Sequence, residues 1–323
     1  IRINFFIPDS RIFWVNPSVN FLKKYVKDNN IKTIITSGPP HSIHLIGLKI
    51  KDILNINWIA DFRDPWSSWD ILDAMKPRDK IINKHKELEK KILKNADKVI
   101  VTNPNLYSEF LNIIDDNKLE LLTNGTLLFK NKKKYLSKKF KISYLGLLNK
   151  FRFPRIFFNV LKEIIIKNDD IEKDIEIFIS GTIDNSIYNY LINDSILKTK
   201  INYVKNIEYE NTFHHFNSSS LLLLLLNKKS INTTPTKIFD YASSGTPVLT
   251  LGEKKDKYMD LLLEELSLEK IVSYSDKTSI ENSILKSYKN FKLKIKNKPS
   301  ENIKKYDRKY LTEKLSKILD YYY

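Results

Sequence analysis

Cysteine is absent from this 323-residue chain, which excludes disulfides and thiolate metal sites and favours a reducing compartment only weakly. No apolar run approaches the ~18 residues that a membrane-crossing helix needs, and no secretory leader pattern is legible. Zinc-finger, RNP-like and basic-zipper patterns are missing as well, so a nucleic-acid partner is not expected. Glycine is scarce, with seven in all. Gly38, Gly125, Gly146, Gly181, Gly245 and Gly252 close apolar runs, where a chain turns or approaches a ligand, and only Gly47 falls inside a predicted helix.

Positive charge is plentiful. The formal net charge of +17 suits phosphates or an anionic membrane surface. Lys, Asn and Ile are abundant together, so composition bias is an equally good source of the excess. Apolar residues make up 42% of the chain, enough for two cores and hence two domains of ordinary size. The expected location is cytoplasmic, and the charge admits peripheral attachment at the inner face of a membrane.

The most informative stretch follows the leucine run Leu221 to Leu226, which is bounded by Ser218, Ser219 and Ser220 and by Asn227. Such a run reads as a parallel strand buried on both faces. Thr233, Thr234 and Thr236 then supply hydroxyls at a helix start, and Pro235 stands where a missing N–H costs nothing. The helix is predicted to open at Thr236, to bury Ile238, Phe239, Tyr241 and Ala242, and to stop at Gly245 before a strand from Pro247 to Leu251. A helix start at the carboxyl end of a sheet favours anions. Lys237 and Asp240 are three apart and share a surface. They read either as a cation for phosphate with a carboxylate for sugar hydroxyls, or as a solvated pair.

The segment PTKIFDYASSGTPVL resembles the Lys-x-x-Glu motif region of GT-B glycosyltransferases, in particular glycosyltransferase family 4. The resemblance implies an α/β fold of two Rossmann-like domains with parallel sheets. It places the donor diphosphate and sugar at Thr234, Thr236 and Lys237, and ribose hydroxyls on Asp240, one methylene shorter than the usual Glu. The family's first Glu, eight residues earlier, is Asn232 here.

Two earlier loops carry the same resemblance. The strand Thr33 to Thr36 runs into SGPPHS, in which Ser37 and Gly38 make the turn and Pro39 and Pro40 take the first helical positions, with Ile43, Ile46, Ile50 and Ile53 as the buried stripe. His41 and His44 lack a third metal ligand, so hydrogen bonding is expected of them and no metal. About one strand and one helix later comes WIADFRDPW, with Asp61, Arg63 and Asp64 beside Trp66. Such a loop reads as a carbohydrate site or as a buried Arg–Asp pair that stiffens a turn. By resemblance, Ser37, Gly38, His41 and Trp66 belong to the acceptor side of the cleft, and Asp61, Arg63 and Asp64 are candidates for the chemistry.

A helix is predicted from Asp79 to Asn95 with Ile81, Ile82, Leu88, Ile92 and Leu93 buried, and strands at Lys98–Thr102 and Leu119–Thr123. The second half opens with a strand from Lys141 to Gly146, followed by Lys150 and Arg152, which match the family's cations for the leaving diphosphate. Strands at Ile175–Ser180 and Ile201–Val204 follow, the resemblance implying that the base lies near Tyr203 to Ile207, and a further strand spans Lys270–Tyr274.

The expected organisation is a partial amino-terminal, acceptor-side domain at 1–128, a lysine-rich linker at 129–140, a nucleotide-sugar domain at 141–305 and a helix at 306–323 crossing back to the first domain. The family's first strands would precede Ile1, so the first domain is expected to be incomplete. The function implied is retaining transfer of a sugar from a nucleotide-sugar donor to a saccharide or lipid-linked saccharide acceptor, in cell-surface polysaccharide synthesis. No cofactor is implied beyond the nucleotide sugar as co-substrate. A sugar-nucleotide epimerase or hydrolase of the same fold, or an inactive carbohydrate or nucleotide binder, is the alternative.

Overall fold

A computed structural model describes residues 4–69, 72, 75–128, 137–226, 233–253, 257–295 and 298–322. The expected linker residues 129–136 and Asn232 lie outside these. Among the described residues two parallel sheets form. In the first, β1 (Thr33–Gly38), β2 (Asn57–Phe62), β3 (Lys98–Val101) and β4 (Leu119–Leu121) lie side by side in chain order. The second contains β5 (Phe140–Leu145), β6 (Ile175–Ser180), β7 (Ile201–Val204), β8 (Leu221–Leu225) and β9 (Val248–Leu251), in the order β7-β6-β5-β8-β9. The helices are α1 (Val15–Asp28), α2 (Ser42–Ile53), α3 (Asp79–Asn95), α4 (Pro104–Phe110), α5 (Arg155–Lys167), α6 (Asp169–Asp174), α7 (Asn185–Asn193), α8 (Tyr209–Ser218), α9 (Lys237–Ser244), α10 (Lys257–Glu265), α11 (Lys277–Lys292) and α12 (Arg308–Tyr321). None of them is long and apolar enough to cross a membrane.

The chain divides into two compact units. The first holds the described residues of Ile1–Asn124, Ser230–Thr234 and Arg308–Tyr323, and the second those of Gly125–Lys229 and Pro235–Asp307.

In the second unit the leucine run behaves as its composition demands. Every residue of β8 is buried. Alternate side chains point to opposite faces of a strand, so Leu221, Leu223 and Leu225 join one core with Phe140 and Ile142, while Leu222 and Leu224 join another with Phe239 and Ala242. Each leucine so buried contributes about 1.5–3 kcal/mol relative to exposure. The region Lys270–Tyr274 forms no strand, only a single bridge from Val272 to Leu251.

In the first unit β1 runs on through Ser37 and Gly38, and α2 starts only at Ser42, so Pro39 and Pro40 precede the helix instead of opening it. The helix start is capped from far away: Asp9 accepts from Ser42 N–H at 2.8 Å and from its hydroxyl at 2.9 Å. The buried face of α2 is Ser42, His44, Gly47, Leu48 and Ile50; of the expected isoleucine stripe Ile50 is fully buried, Ile43 and Ile46 are half-buried and Ile53 is 46% exposed. Gly47 decides that rotation, because a Cβ there would lie 2.3 Å from Trp58 Nε1. The α3 helix spans its expected length, but it buries His85 and Glu89 with Ile92 and Leu93, while Ile81, Ile82 and Leu88 are half-buried. At the end of α12, Tyr322 returns to this sheet, its carbonyl accepting from Asn57 Nδ2 at 2.7 Å.

Candidate functional site

The strand order of the second sheet reverses between β5 and β8. At such a switch point, crevices open at the carboxyl ends of the strands. Here β5 and β8 pair only at Ile142–Leu221 and Ser143–Leu222, so they part company beyond Ser143. The segments that leave them carry Gly146 and Lys237.

Lys237 Nζ lies 5.7 Å from the ring centroid of Tyr144, a buried residue near the end of β5. A Cβ on residue 146 would come within 2.0 Å of that ammonium, and φ at Gly146 is +148°. The positive φ calls for glycine at this position, and a side chain there would push the Lys237 ammonium aside. Gly181, at the end of β6, closes against it: a Cβ there would lie 2.2 Å from Gly146 O, with φ +124°. Tyr203 donates its hydroxyl to Gly181 O at 3.0 Å and fixes that turn.

Burial, and after it the nearby Arg152 guanidinium, bring the Lys237 ammonium down to about 8, against a smaller pull upward from Asp240. Two cations pressed together with partial burial are costly until an anion joins them. Asp240 sits one turn further along α9 and accepts from Thr126 Oγ1 at 2.7 Å, which orients one carboxylate oxygen. Tyr144 is pushed up to about 12 by burial, remains neutral and donates to Leu147 O at 2.8 Å.

The Lys150 ammonium is 5.1 Å from the Phe151 ring centroid and exposed. Thr236 is the N-cap of α9 yet makes no capping bond, which corrects the expectation from its hydroxyl. Thr234 belongs to the first unit, where its hydroxyl accepts from Asn103 Nδ2 at 2.8 Å.

The first unit has its own cluster at the carboxyl ends of β1 and β2. Ser37 and Asp61 are register partners, and Ser37 Oγ donates to Asp61 Oδ2 at 2.6 Å. Burial raises the Asp61 carboxyl, and the serine and Arg63 offset this in part. Arg63 is exposed and spends one N–H on Pro39 O at 2.6 Å, a bond that ties the two loops together. Asp64 is half-buried on the same loop.

His41 stacks on Trp66 with centroids 5.0 Å apart and rings within 2° of parallel, and donates from Nε2 to Pro65 O at 3.2 Å. Burial holds it near 4, so it is neutral. His44 contacts Thr36 Oγ1 through Nδ1 at 2.8 Å, the same oxygen that accepts from Trp58 Nε1. Its charged form is disfavoured by burial too. The glycine at 38 leaves room for both rings: a Cβ there would lie 2.6 Å from His44 Nε2 and 3.2 Å from His41 Nδ1.

Four contributors were not anticipated from the sequence. Asp9 caps α2, His85 Nδ1 accepts from Trp66 Nε1 at 2.9 Å, Glu89 accepts from Ser67 N–H at 3.1 Å and from its hydroxyl, and Thr126 holds Asp240. His85 and Glu89 are four apart on α3, a spacing that marks one helix face, and that signal was available. Burial lifts the Glu89 carboxyl to about 7. Among the described residues no group of three His, Asp or Glu side chains is placed to hold a metal ion.

No protein-family model and no curated protein sequence matches this chain. Solved structures do. A sucrose-phosphate synthase from Thermosynechococcus elongatus aligns over 98% of this chain and 80% of its own, with TM-score 0.70 and 14% identity. Anabaena HepE in complex with UDP aligns over 94% of this chain and 82% of its own, with TM-score 0.68 and 11% identity. A putative UDP-N-acetylglucosamine 2-epimerase from Listeria monocytogenes aligns over 93% and 76%, with TM-score 0.56 and 11% identity. At such identities the likeness establishes the fold: this chain has the α/β fold of GT-B type, with parallel sheets, that the motifs implied.

Proposed function

We propose that this protein is a glycosyltransferase that moves a sugar from a nucleotide-sugar donor to a hydroxyl of a saccharide or lipid-linked saccharide. The observation that carries the reading is the Lys237 ammonium, held against the side-chain-free backbone of Gly146 and within the electrostatic reach of Arg152, at the switch point of a parallel sheet. A diphosphate supplies the negative charge that this arrangement wants, and the backbone at Gly146 and Gly181 lets it approach. Asp240, with one oxygen oriented by Thr126, takes the ribose hydroxyls. Tyr203 lies beside the base, and Lys150, Asn232, Thr234 and Thr236 complete the donor side.

Cleavage of the donor's glycosidic bond leaves negative charge on the departing diphosphate. Lys237 and Arg152 stabilise that charge more in the transition state than in the bound donor, which is the condition for acceleration. The neighbours that share the fold are seen with UDP and UDP-glucose, which supports a nucleotide-sugar donor here. Asp61, Arg63 and Asp64 of the first unit are assigned to handling the acceptor, with Ser37, Gly38, His41 and Trp66 around them. Retention of configuration, and work on cell-surface polysaccharide at the inner face of a membrane, complete the reading.

A sugar-nucleotide epimerase is the second reading, favoured by the shared fold of the Listeria protein and by the raised Asp61 carboxyl, which suits acid–base chemistry. One experiment separates them. The chain is incubated with UDP-, GDP- and ADP-sugars, with and without saccharide acceptors, and the products are weighed by mass spectrometry. Transfer that requires an acceptor and is lost in Lys237→Ala is the expected result. An isomerised donor formed without acceptor would favour the epimerase, and absence of both turnover and nucleotide binding would overturn the proposal.

A further inference from the structure

The turn that follows Arg63 and Asp64 is held by distant side chains at four consecutive positions. His41, at the start of α2, donates to the Pro65 carbonyl at 3.2 Å, and the Trp66 indole N–H donates to His85 Nδ1 of α3 at 2.9 Å. Ser67 gives both its N–H, at 3.1 Å, and its hydroxyl to the Glu89 carboxyl group, one helical turn further along α3. Ser68 gives its hydroxyl to Glu109 of α4 at 2.8 Å. Trp66 itself is 2% exposed, so it anchors the loop from within and presents no face to a sugar.

The front of the loop is tied as well. Arg63 donates its N–H to Gly38 O at 3.0 Å and accepts from the Thr102 hydroxyl at 2.8 Å, besides its guanidinium bond to Pro39 O. Asp64 lies between the two tethered stretches, so the place of its carboxyl group depends on both. Of the rear anchors Glu89 is the most demanding, because it is 2% exposed and the charge that acts on it, from Glu109, is of like sign. Burying a carboxylate in this way is costly. What offsets the cost is the pair of bonds from Ser67, with a further contribution from the Trp66 backbone. Hydrogen bonds to a charged oxygen are about twice as strong as neutral ones. A group that holds a loop from behind in this way fixes the side chains that the loop presents in front.

We propose that Glu89 is a positioning residue, which clamps the turn at Ser67 from inside the first unit and so sets where Arg63 and Asp64 stand toward the acceptor. The role toward the acceptor rests on the transferase reading; the clamp does not.

Hydrogen exchange of the full chain at pH 8, above the Glu89 value of about 7, tests the clamp with no ligand present, read by mass spectrometry on peptides that span residues 61–69. Glu89→Leu keeps the bulk but accepts nothing, and exchange across this loop should quicken about tenfold or more while peptides of the second unit exchange as in the wild type. Glu89→Gln, whose amide oxygen accepts the N–H and whose NH2 donates to the hydroxyl, should restore protection. Ser67→Ala, which keeps the N–H bond and loses the hydroxyl bond, should fall between the two, and it replaces Glu89→Leu if that variant does not fold. With whichever donor and acceptor the transfer assay yields, Glu89→Leu should lower kcat/KM for the acceptor about tenfold or more and leave the donor KM within about twofold. Unchanged exchange at 61–69, no rescue by glutamine, or loosening spread evenly over the first unit overturns the clamp. A donor KM that moves as far as the acceptor's overturns its role toward the acceptor. If the wild type transfers no sugar while the exchange pattern holds, the transferase reading has failed and the clamp stands.

Discussion

The two sheets end in clusters of opposite chemistry. In the second unit the strand order reverses at β5 and β8, and at the gap charge is set against bare backbone: Lys237 over Gly146, with Arg152 acting on the Lys237 ammonium. In the first unit the described strands lie in simple chain order, and beside the Ser37–Asp61 and Arg63–Pro39 bonds at their ends stands a neutral, aromatic group: His41, His44 and His85 with Trp66 and Phe62. Both clusters sit on parallel strands and short loops, so the framework does not decide their chemistry. The residues leaving the strands do. An electrostatic cluster should respond to charge and pH near neutrality, whereas the aromatic one should respond to shape.

The largest effect is expected at the glycine pair. Gly181→Ala forces a Cβ within 2.2 Å of the Gly146 carbonyl at a φ of +124°, and should cost about 3 kcal/mol or more. Urea unfolding followed by circular dichroism measures this. A midpoint equal to that of the wild type would mean that the two turns do not abut as described.

Next comes the charge. Lys237→Ala should weaken UDP binding by about 2–3 kcal/mol, or ~30- to 150-fold. Because the unliganded ammonium titrates at about 8, wild-type affinity should fall as pH rises from 7 to 9, to about one-tenth one unit above that value. Lys237→Arg, charged throughout, should flatten the profile.

Glu89 tests the neutral cluster. Its folded-state value of about 7 lies above the ordinary 4.5, so the proton is held more tightly in the folded protein. The stability it contributes is present below pH ~4.5 and is lost as pH rises through about 7, to the extent of roughly 2–3 kcal/mol. Glu89→Gln removes that loss, so the variant should gain on the wild type across this window in paired melting curves. The slope of opposite sign from His41, neutral above about 4, cancels in the difference. Of similar size is Gly47→Ala, whose Cβ would lie 2.3 Å from the buried Trp58 Nε1 and 2.8 Å from Thr36 Cγ2, so that overpacking outweighs the better helix propensity and leaves about 2–3 kcal/mol of destabilisation in urea unfolding.

Much of the second unit was legible because its signals are local. A leucine run can only be a strand buried on both faces, and α9 is bounded by Thr236 and by Gly245 at φ 64° as its residues suggest. The first unit was harder to read. Asp9 reaches Ser42 across 33 positions, and no local rule shows such a cap. The rotation of α2 follows from the fit of Gly47 against Trp58, a contact between elements, and the period of isoleucines misled. The same holds for the site: Lys237, Asp240 and Gly146 stand out in sequence, but the parting of β5 from β8 and the grip of Thr126 on Asp240 are properties of the assembled sheet.

The most direct test is calorimetric titration of UDP into the wild-type chain and Lys237→Ala at pH 7, repeated at pH 9. Saturable binding at pH 7 that weakens about tenfold at pH 9 and is nearly abolished by the substitution is the result expected of a diphosphate held by a buried ammonium at pH-sensitive strength. Equal affinity in both proteins at both pH values would contradict the account, because the anion would then be bound somewhere other than at Lys237 and Gly146.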